Sequence, residues 1–229
     1  MVKQGFSNKL LGLLERALKI DPNEFAALKL SLRSRDPFKM LIMTILTQNT
    51  SDRNAIEAYN RLSSKFNIEP QVLASAPLSE IENAIRIAGL YRRRAQVIKA
   101  VSKAILERFN GDIRAVFNCS LDEARNALMS LPGVGRKTAD VLLLFIAGKP
   151  TFPVDTHITR VCKRLGLVPL NANYEVIRRT LMEIFPPEKY LDAHLLLIAF
   201  GRKYCRARSP LCNVCPLKGY CNFAKFSMH

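Results

Sequence analysis

Near its C-terminal end the chain reads Cys205-RARSPL-Cys212-NV-Cys215-PLKGY-Cys221, a C-x6-C-x2-C-x5-C run that restricts the fold more than any other feature. Thiolates at these spacings, with a tight C-x2-C pair in the middle, can converge from one short loop on a single tetrahedral set of positions. A four-iron cubane needs four thiolates, and so does a structural zinc. Ligand softness suits both metals, so spacing alone leaves the choice open. Disulfides fit less well, because no secretory segment is evident and an intracellular compartment keeps thiols reduced. Six Lys and Arg follow Phe200 with no Asp or Glu among them, which sets the metal centre beside a polyanion-binding surface.

The whole chain is basic: 35 Lys plus Arg stand against 19 Asp plus Glu, a formal charge of +16. Nucleic acid is the partner such a balance points to. A membrane is the competing polyanion, but the basic residues are spread along the chain. The longest apolar runs, VLLLFIAG and HLLLIAF, also fall well short of the roughly 20 residues of a spanning helix. The N-terminal MVKQGFSNKLLGLLERALKI is broken by charges too often for a signal peptide and reads as an amphipathic helix.

The apolar period is helical almost throughout, so the expected fold class is all-α. Hydrophobic content of 48% allows a sizeable core. Asp36-Pro37 opens one helix, and Ser51 opens another carrying Ile56, Tyr59, Leu62 and Phe66. Ser79-x-x-Glu82 and Ser120-x-x-Glu123 read as capping boxes. Gly89, Asn110-Gly111, Gly148 and Gly166 are expected C-terminal stops. About ten short helices result. Residues 36–149 are expected to form one helical domain, and residues 1–35 with 150–229 a second, metal-bearing one.

The segment LMSLPGVGRKTADVLLLFIAG falls near the end of the first domain. A helix ends near Leu131, Pro132 and two glycines make a tight turn, and a second helix begins around Arg136. The amides of Gly133, Val134 and Gly135 can point outward together, and such a nest at a helix start suits a phosphate oxygen. This is the helix-hairpin-helix pattern, a sequence-independent grip on a DNA backbone; the bland alternative is a turn between two core helices. Lys137 lies in the first turn of the second helix, where the macrodipole and Arg136 disfavour a proton on the amine, as an amine nucleophile requires. The bland alternative there is a phosphate-contacting or solvated lysine. Asp155, in FPVDTHITRVCKRLG, lies within chain reach of Lys137 and can also cap the helix starting at Thr156.

In their order and separation, LPGVGRKTAD, VDTHITRVCKRLG and the cysteine run resemble the endonuclease III family of helix-hairpin-helix DNA glycosylases. The resemblance includes GLYRRRAQVI and spans nearly the whole chain. It implies that Cys205, Cys212, Cys215 and Cys221 hold a 4Fe-4S cluster, that Lys137 is the nucleophile and that Asp155 is the catalytic carboxylate. The implied activity is base excision repair: a glycosylase for oxidised or damaged pyrimidines in duplex DNA with abasic-site lyase activity. Double-stranded DNA carrying damaged bases or abasic sites is the expected partner, with no membrane. A monomer in the cytoplasm or nucleoid of a prokaryote is the expected setting.

Two other readings remain open from sequence: a uracil or thymine mismatch glycosylase on the same scaffold, and a non-catalytic DNA-binding protein. Lys137 argues against the first, because monofunctional relatives resemble the family with tyrosine or serine at that position. Gly133, Val134, Gly135, Arg136, Arg206 and Arg208 are the expected backbone contacts; Gln48 in LTQNTSD resembles the family glutamine that fills the gap left by a flipped base, though its flanks depart from the commoner Ser-Ala-Gln or Ser-Gln-Gln pattern and a polar helix-end residue is the alternative. Asp140 stands where many members have asparagine. Cys119 and Cys162 are expected core thiols; His157 and His194 resemble family positions near the cleft and at the interdomain packing, with structural residues as the bland reading; and Arg92-Arg93-Arg94 reads most simply as a solvated helix face, with a DNA-facing role as the alternative.

Overall fold

The structure, a computed structural model, describes residues 2–226; the first residue and the last three of the expected C-terminal domain lie outside the described residues. Thirteen α-helices run in chain order, and no strand occurs among the described residues. They are α1 (Val2–Ala17), α2 (Ala26–Ser31), α3 (Pro37–Thr47), α4 (Asp52–Lys65), α5 (Pro70–Ser75), α6 (Leu78–Ile85), α7 (Tyr91–Phe109), α8 (Leu121–Met129), α9 (Arg136–Phe145), α10 (Thr156–Leu165), α11 (Tyr174–Ile184), α12 (Tyr190–Lys203) and α13 (Asn222–Phe226). The fold is all-α, as the periodicity requires. No helix among the described residues is long and apolar enough to cross a membrane.

Local chemistry explains most of the boundaries. The Asp36 carboxylate accepts the Lys39 N–H at 3.0 Å ahead of Pro37, and Ser51 accepts the Asn54 N–H at 3.2 Å. Ser120 and Glu123 form a complete capping box. The box expected at Ser79 does not form: Pro77 precedes the first helical residue, Leu78, so Ser79 is already inside α6. Asn110 and Gly166 end α7 and α10 in the left-handed conformation.

The chain folds as two compact units, Asp21–Lys149 and a second made of the segment ending at Ile20 with the segment starting at Pro150. The sequence reading draws the first boundary at Asp36 instead. Residues 21–35 join the larger unit because Phe25, Ala26 and Leu30 are buried there and the Ala26 N–H donates to the Asp52 carboxylate at 2.8 Å. That unit is organised around α3, whose Met40, Leu41, Ile42, Ile45 and Leu46 are 0% exposed. Helices α2, α4, α7 and α9 pack against it. In the second unit α10 and α1 pack on α12. A Cβ at Gly201 would lie 2.9 Å from His157 Cβ, so a glycine there lets α12 approach α10.

Asp140 is fully buried in the larger unit. Arg125 on α8 grips it in two bonds, Nε to Oδ1 at 2.8 Å and Nη2 to Oδ2 at 3.2 Å. The pair joins the two helices on either side of the glycine turn, which gives Asp140 a packing role. Removing one partner leaves an uncompensated buried charge, so Arg125→Met is expected to cost about 3–5 kcal/mol of stability. Urea unfolding monitored by circular dichroism checks this; a loss within 1 kcal/mol or so, on the scale of an exposed pair, would contradict it.

Candidate functional site

The turn between α8 and α9 is built as a close backbone approach. Gly133 has φ 74, and a Cβ there would lie 2.3 Å from Val97 Cγ1, so both conformation and space demand glycine. Gly135 is the N-cap of α9 and provides no side-chain cap, while space around its Cα is open. The first amides of α9 therefore begin a helix at an uncluttered end, the positive end of its dipole. Val134 differs from expectation: its side chain is buried and its N–H donates to Leu131 O at 3.2 Å, closing the turn rather than facing outward. Arg136 is exposed and Lys137 half-buried in the first turn of α9.

Gln48, the C-cap of α3, reaches this hairpin. Its Nε2 donates to Gly133 O at 3.2 Å and lies 3.5 Å from Thr138 Oγ1. Gln48, Asn49, Leu90, Arg93 and Gly133 share the walls of a cavity of about 240 Å³. Leu90 escaped the sequence reading, although GLY at residues 89–91 marks a turn that can present a side chain. It is 61% exposed and left-handed at φ 47, an apolar group held out toward solvent.

In the other unit, the segment leading to Asp155 is pinned almost residue by residue. Thr151 Oγ1 accepts from Arg178 Nε at 3.0 Å, and Phe152 is buried among the rings of Phe185, Tyr190 and His194. Pro153 O lies 2.9 Å from His194 Nδ1, and the Val154 N–H donates to Tyr174 Oη at 3.3 Å. Asp155 then caps α10, one carboxylate oxygen accepting the Ile158 N–H at 2.7 Å. The capping role expected for it is present. Burial, with Arg160 and Arg202, holds His157 below the usual histidine pKa despite the opposing pull of Asp155. Arg160 Nη2 lies 3.0 Å from His157 Nδ1.

The four C-terminal cysteines line one cavity with Arg164, Tyr204 and Phe223. Burial raises the Cys215 pKa first, and the neighbouring Cys221, Cys205 and Cys212 raise it further. The raised value keeps the Cys215 sulfur a neutral thiol on its own, and a cation bound among the four cysteines would draw it toward thiolate; four soft sulfur donors around one cavity are the donor set a metal cluster takes. Arg164 Nη1 lies 3.6 Å from Cys205 Sγ and 2.6 Å from Arg206 O, and Nη2 donates to Ala207 O at 3.1 Å. This guanidinium therefore supports the loop that presents Arg206 and Arg208, both exposed. The two remaining cysteines diverge: Cys162 is buried, its pKa pushed up to about 12 by burial, whereas Cys119 is exposed and not a core thiol.

Residues 42–187 match the HhH-GPD superfamily of base excision DNA repair proteins, and residues 205–221 match the iron-sulfur binding domain of endonuclease III. Endonuclease III of Sulfolobus acidocaldarius is 36% identical over 218 residues, covering 95% of this chain and 96% of the relative. The Escherichia coli K12 enzyme is 34% identical over 215 residues, covering 94% and 95%. A trapped endonuclease III–DNA covalent intermediate superposes with TM-score 0.80 at 34% identity, covering 97% of this chain and 99% of that one. A non-covalent endonuclease III–DNA complex gives 0.79 at 35%, covering 97% and 98%.

The cysteine cavity carries a direct analytical test. The purified protein is expected to be yellow-brown with about four irons and four sulfides per chain, and Cys212→Ser to lower that iron content. One zinc and no sulfide by metal analysis would refute the assignment.

Proposed function

This chain belongs to the endonuclease III family of the HhH-GPD superfamily, and from that membership we propose that it removes oxidised pyrimidines from duplex DNA and cleaves the resulting abasic site, with Lys137 as nucleophile and Asp155 as the catalytic carboxylate. The observation that carries the reading is an amine in the first turn of a glycine-hairpin helix, in a chain that superposes over 97% of its length on an endonuclease III covalently trapped on DNA. Lysine at this position favours the bifunctional reaction over the monofunctional mismatch reading.

The reaction follows from those groups. A damaged base leaves the stack at lower cost than an intact pair. As the C1′–N bond breaks, the base departs with the electron pair and takes up a proton, and the Asp155 carboxylate stabilises the positive charge developing on the sugar. The Lys137 amine, losing a proton, bonds to C1′ and opens the sugar to a Schiff base. That iminium withdraws electrons, so a C2′ proton is lost and the C3′–O bond breaks, releasing the 3′ phosphate and nicking the strand. Gly133, Gly135 and the first-turn amides of α9, with Arg136, would hold the backbone; Gln48 and Leu90 would fill the gap left by the base. Val134 serves that grip through the turn it closes.

Cys205, Cys212, Cys215 and Cys221 would hold the 4Fe-4S cluster, which when bound would crosslink this loop through their thiolates. Its loop positions Arg206 and Arg208 for phosphates. The protein acts as a monomer, and its bacterial and archaeal relatives fit work on DNA inside a prokaryotic cell.

Lys137→Ala is expected to abolish the borohydride-trapped adduct with an abasic duplex while leaving duplex affinity within a few-fold; an adduct at wild-type yield would move the nucleophile elsewhere. Affinity for undamaged duplex should fall linearly in log–log with salt, with a slope of about −0.9 per phosphate neutralised. Replacing Arg206 and Arg208 together should make that slope shallower, and indifference to both would count against the loop as a phosphate reader.

A further inference from the structure

Three consecutive arginines open α7, and they do not share an environment. Arg92 and Arg93 are exposed, as a solvated face requires, but Arg94 is 4% exposed. Its guanidinium donates to Ala88 O and Gly89 O in the turn before α7, and to Gln48 O at the end of α3. Its Nε is buried and has no hydrogen-bond partner among the described residues. Burial also pulls the Arg94 pKa below the ordinary arginine value. At 4% exposure the guanidinium is engaged with backbone carbonyls rather than turned to solvent, so its role lies in what it joins.

What Arg94 ties together indicates the role. The two backbone segments are far apart in sequence, and each carries a non-glycine residue in the left-handed region next to a bonded carbonyl: Asn49 at φ 53 and Leu90 at φ 47. Such conformations persist only where the surroundings over-determine them. Gln48 and Leu90, the two side chains assigned to the vacated base position, stand on these segments and line one cavity with Arg94.

We propose that Arg94 is a positioning residue for base extrusion, locking the Gln48 and Leu90 turns into one rigid wedge so that both side chains enter the duplex in fixed relation. This rests on the glycosylase reading above. Two independent loops would each lose freedom on entering the duplex, whereas a pre-tied pair has already lost it. A guanidinium suits the task because its planar fork can address carbonyls on two segments at once, which the compact ammonium of lysine does less well.

The test compares single-turnover release of the same oxidised pyrimidine from two duplexes, one with the lesion paired in the helix and one with it unpaired in a single-nucleotide bulge. The bulged base costs little to extrude, so a wedge defect should show only on the paired substrate. Arg94→Met is expected to lower the paired-to-bulged rate ratio by about tenfold or more, with bulge release within a few-fold of wild type. Arg94→Lys should move the ratio the same way by less, and it carries the test if Arg94→Met does not fold. Equal slowing on both duplexes, or an unchanged ratio, would overturn the positioning role and leave Arg94 a stability residue. A wild-type protein that releases base from neither duplex would instead sink the glycosylase reading, and the wedge with it.

Discussion

Short helices leave many backbone carbonyls without partners at their ends, and in this protein cations satisfy them. Arg35 donates to Phe145 O at the end of α9, Lys99 to Ala74 O and Ala76 O around the end of α5, and Arg108 to Ser130 O after α8. Lys149 binds Cys119 O, Lys203 binds Ala17 O at the end of α1, and Arg160 binds Cys205 O and Gly201 O. Each α-helix has up to four such carbonyls, and a cation near them also meets the negative end of the dipole. Without these bonds the many chain reversals of the fold would bury or strand polar oxygens at appreciable cost.

The same cations revise what the net charge means. With nearly two basic groups for each acidic one, many Lys and Arg have no carboxylate to pair with. The exposed ion pairs that do form, such as Arg61 with Glu57 and Lys65 with Glu80, contribute little each. Part of the positive charge is thus turned inward, as at Arg94, Arg125 and Arg178, while exposed cations such as Arg92, Arg93, Arg108, Arg136, Lys203, Arg206 and Arg208 can meet a polyanion. A formal charge counted from composition overstates the DNA-facing surface for this reason.

What could be read in advance was local. The cysteine spacing, the glycine hairpin, the Ser120 box and the Asp155 cap each depend on residues a few positions apart. What could not be read depended on partners distant in sequence. Arg94 looks solvated beside Arg92 and Arg93 until the Gln48 carbonyl, 46 residues earlier, arrives above it. Asp140 is only a departure from the family's asparagine until Arg125, 15 residues earlier, is seen to pair with it. Cys119 carries no local sign of its exposure, and α2 carries none that it joins the larger unit. The Ser79 box failed for a nearer reason: the motif was present, but Pro77 had already started the helix.

The smaller unit is assembled from both ends of the chain. Leu10, Leu11, Leu14 and Leu18 from the N-terminal segment are buried there, where α1 packs against α11 and α12. On a ribosome α1 emerges well before those helices, which begin at Tyr174 and Tyr190. At about 5–20 residues per second they follow on the order of ten to forty seconds later. During that interval Asp21–Lys149 can complete its own core while the leucine stripe of α1 waits for its own. A nascent chain of this design exposes the leucine face of α1 before the helices that bury it have been made, an interval in which a chaperone can meet that face.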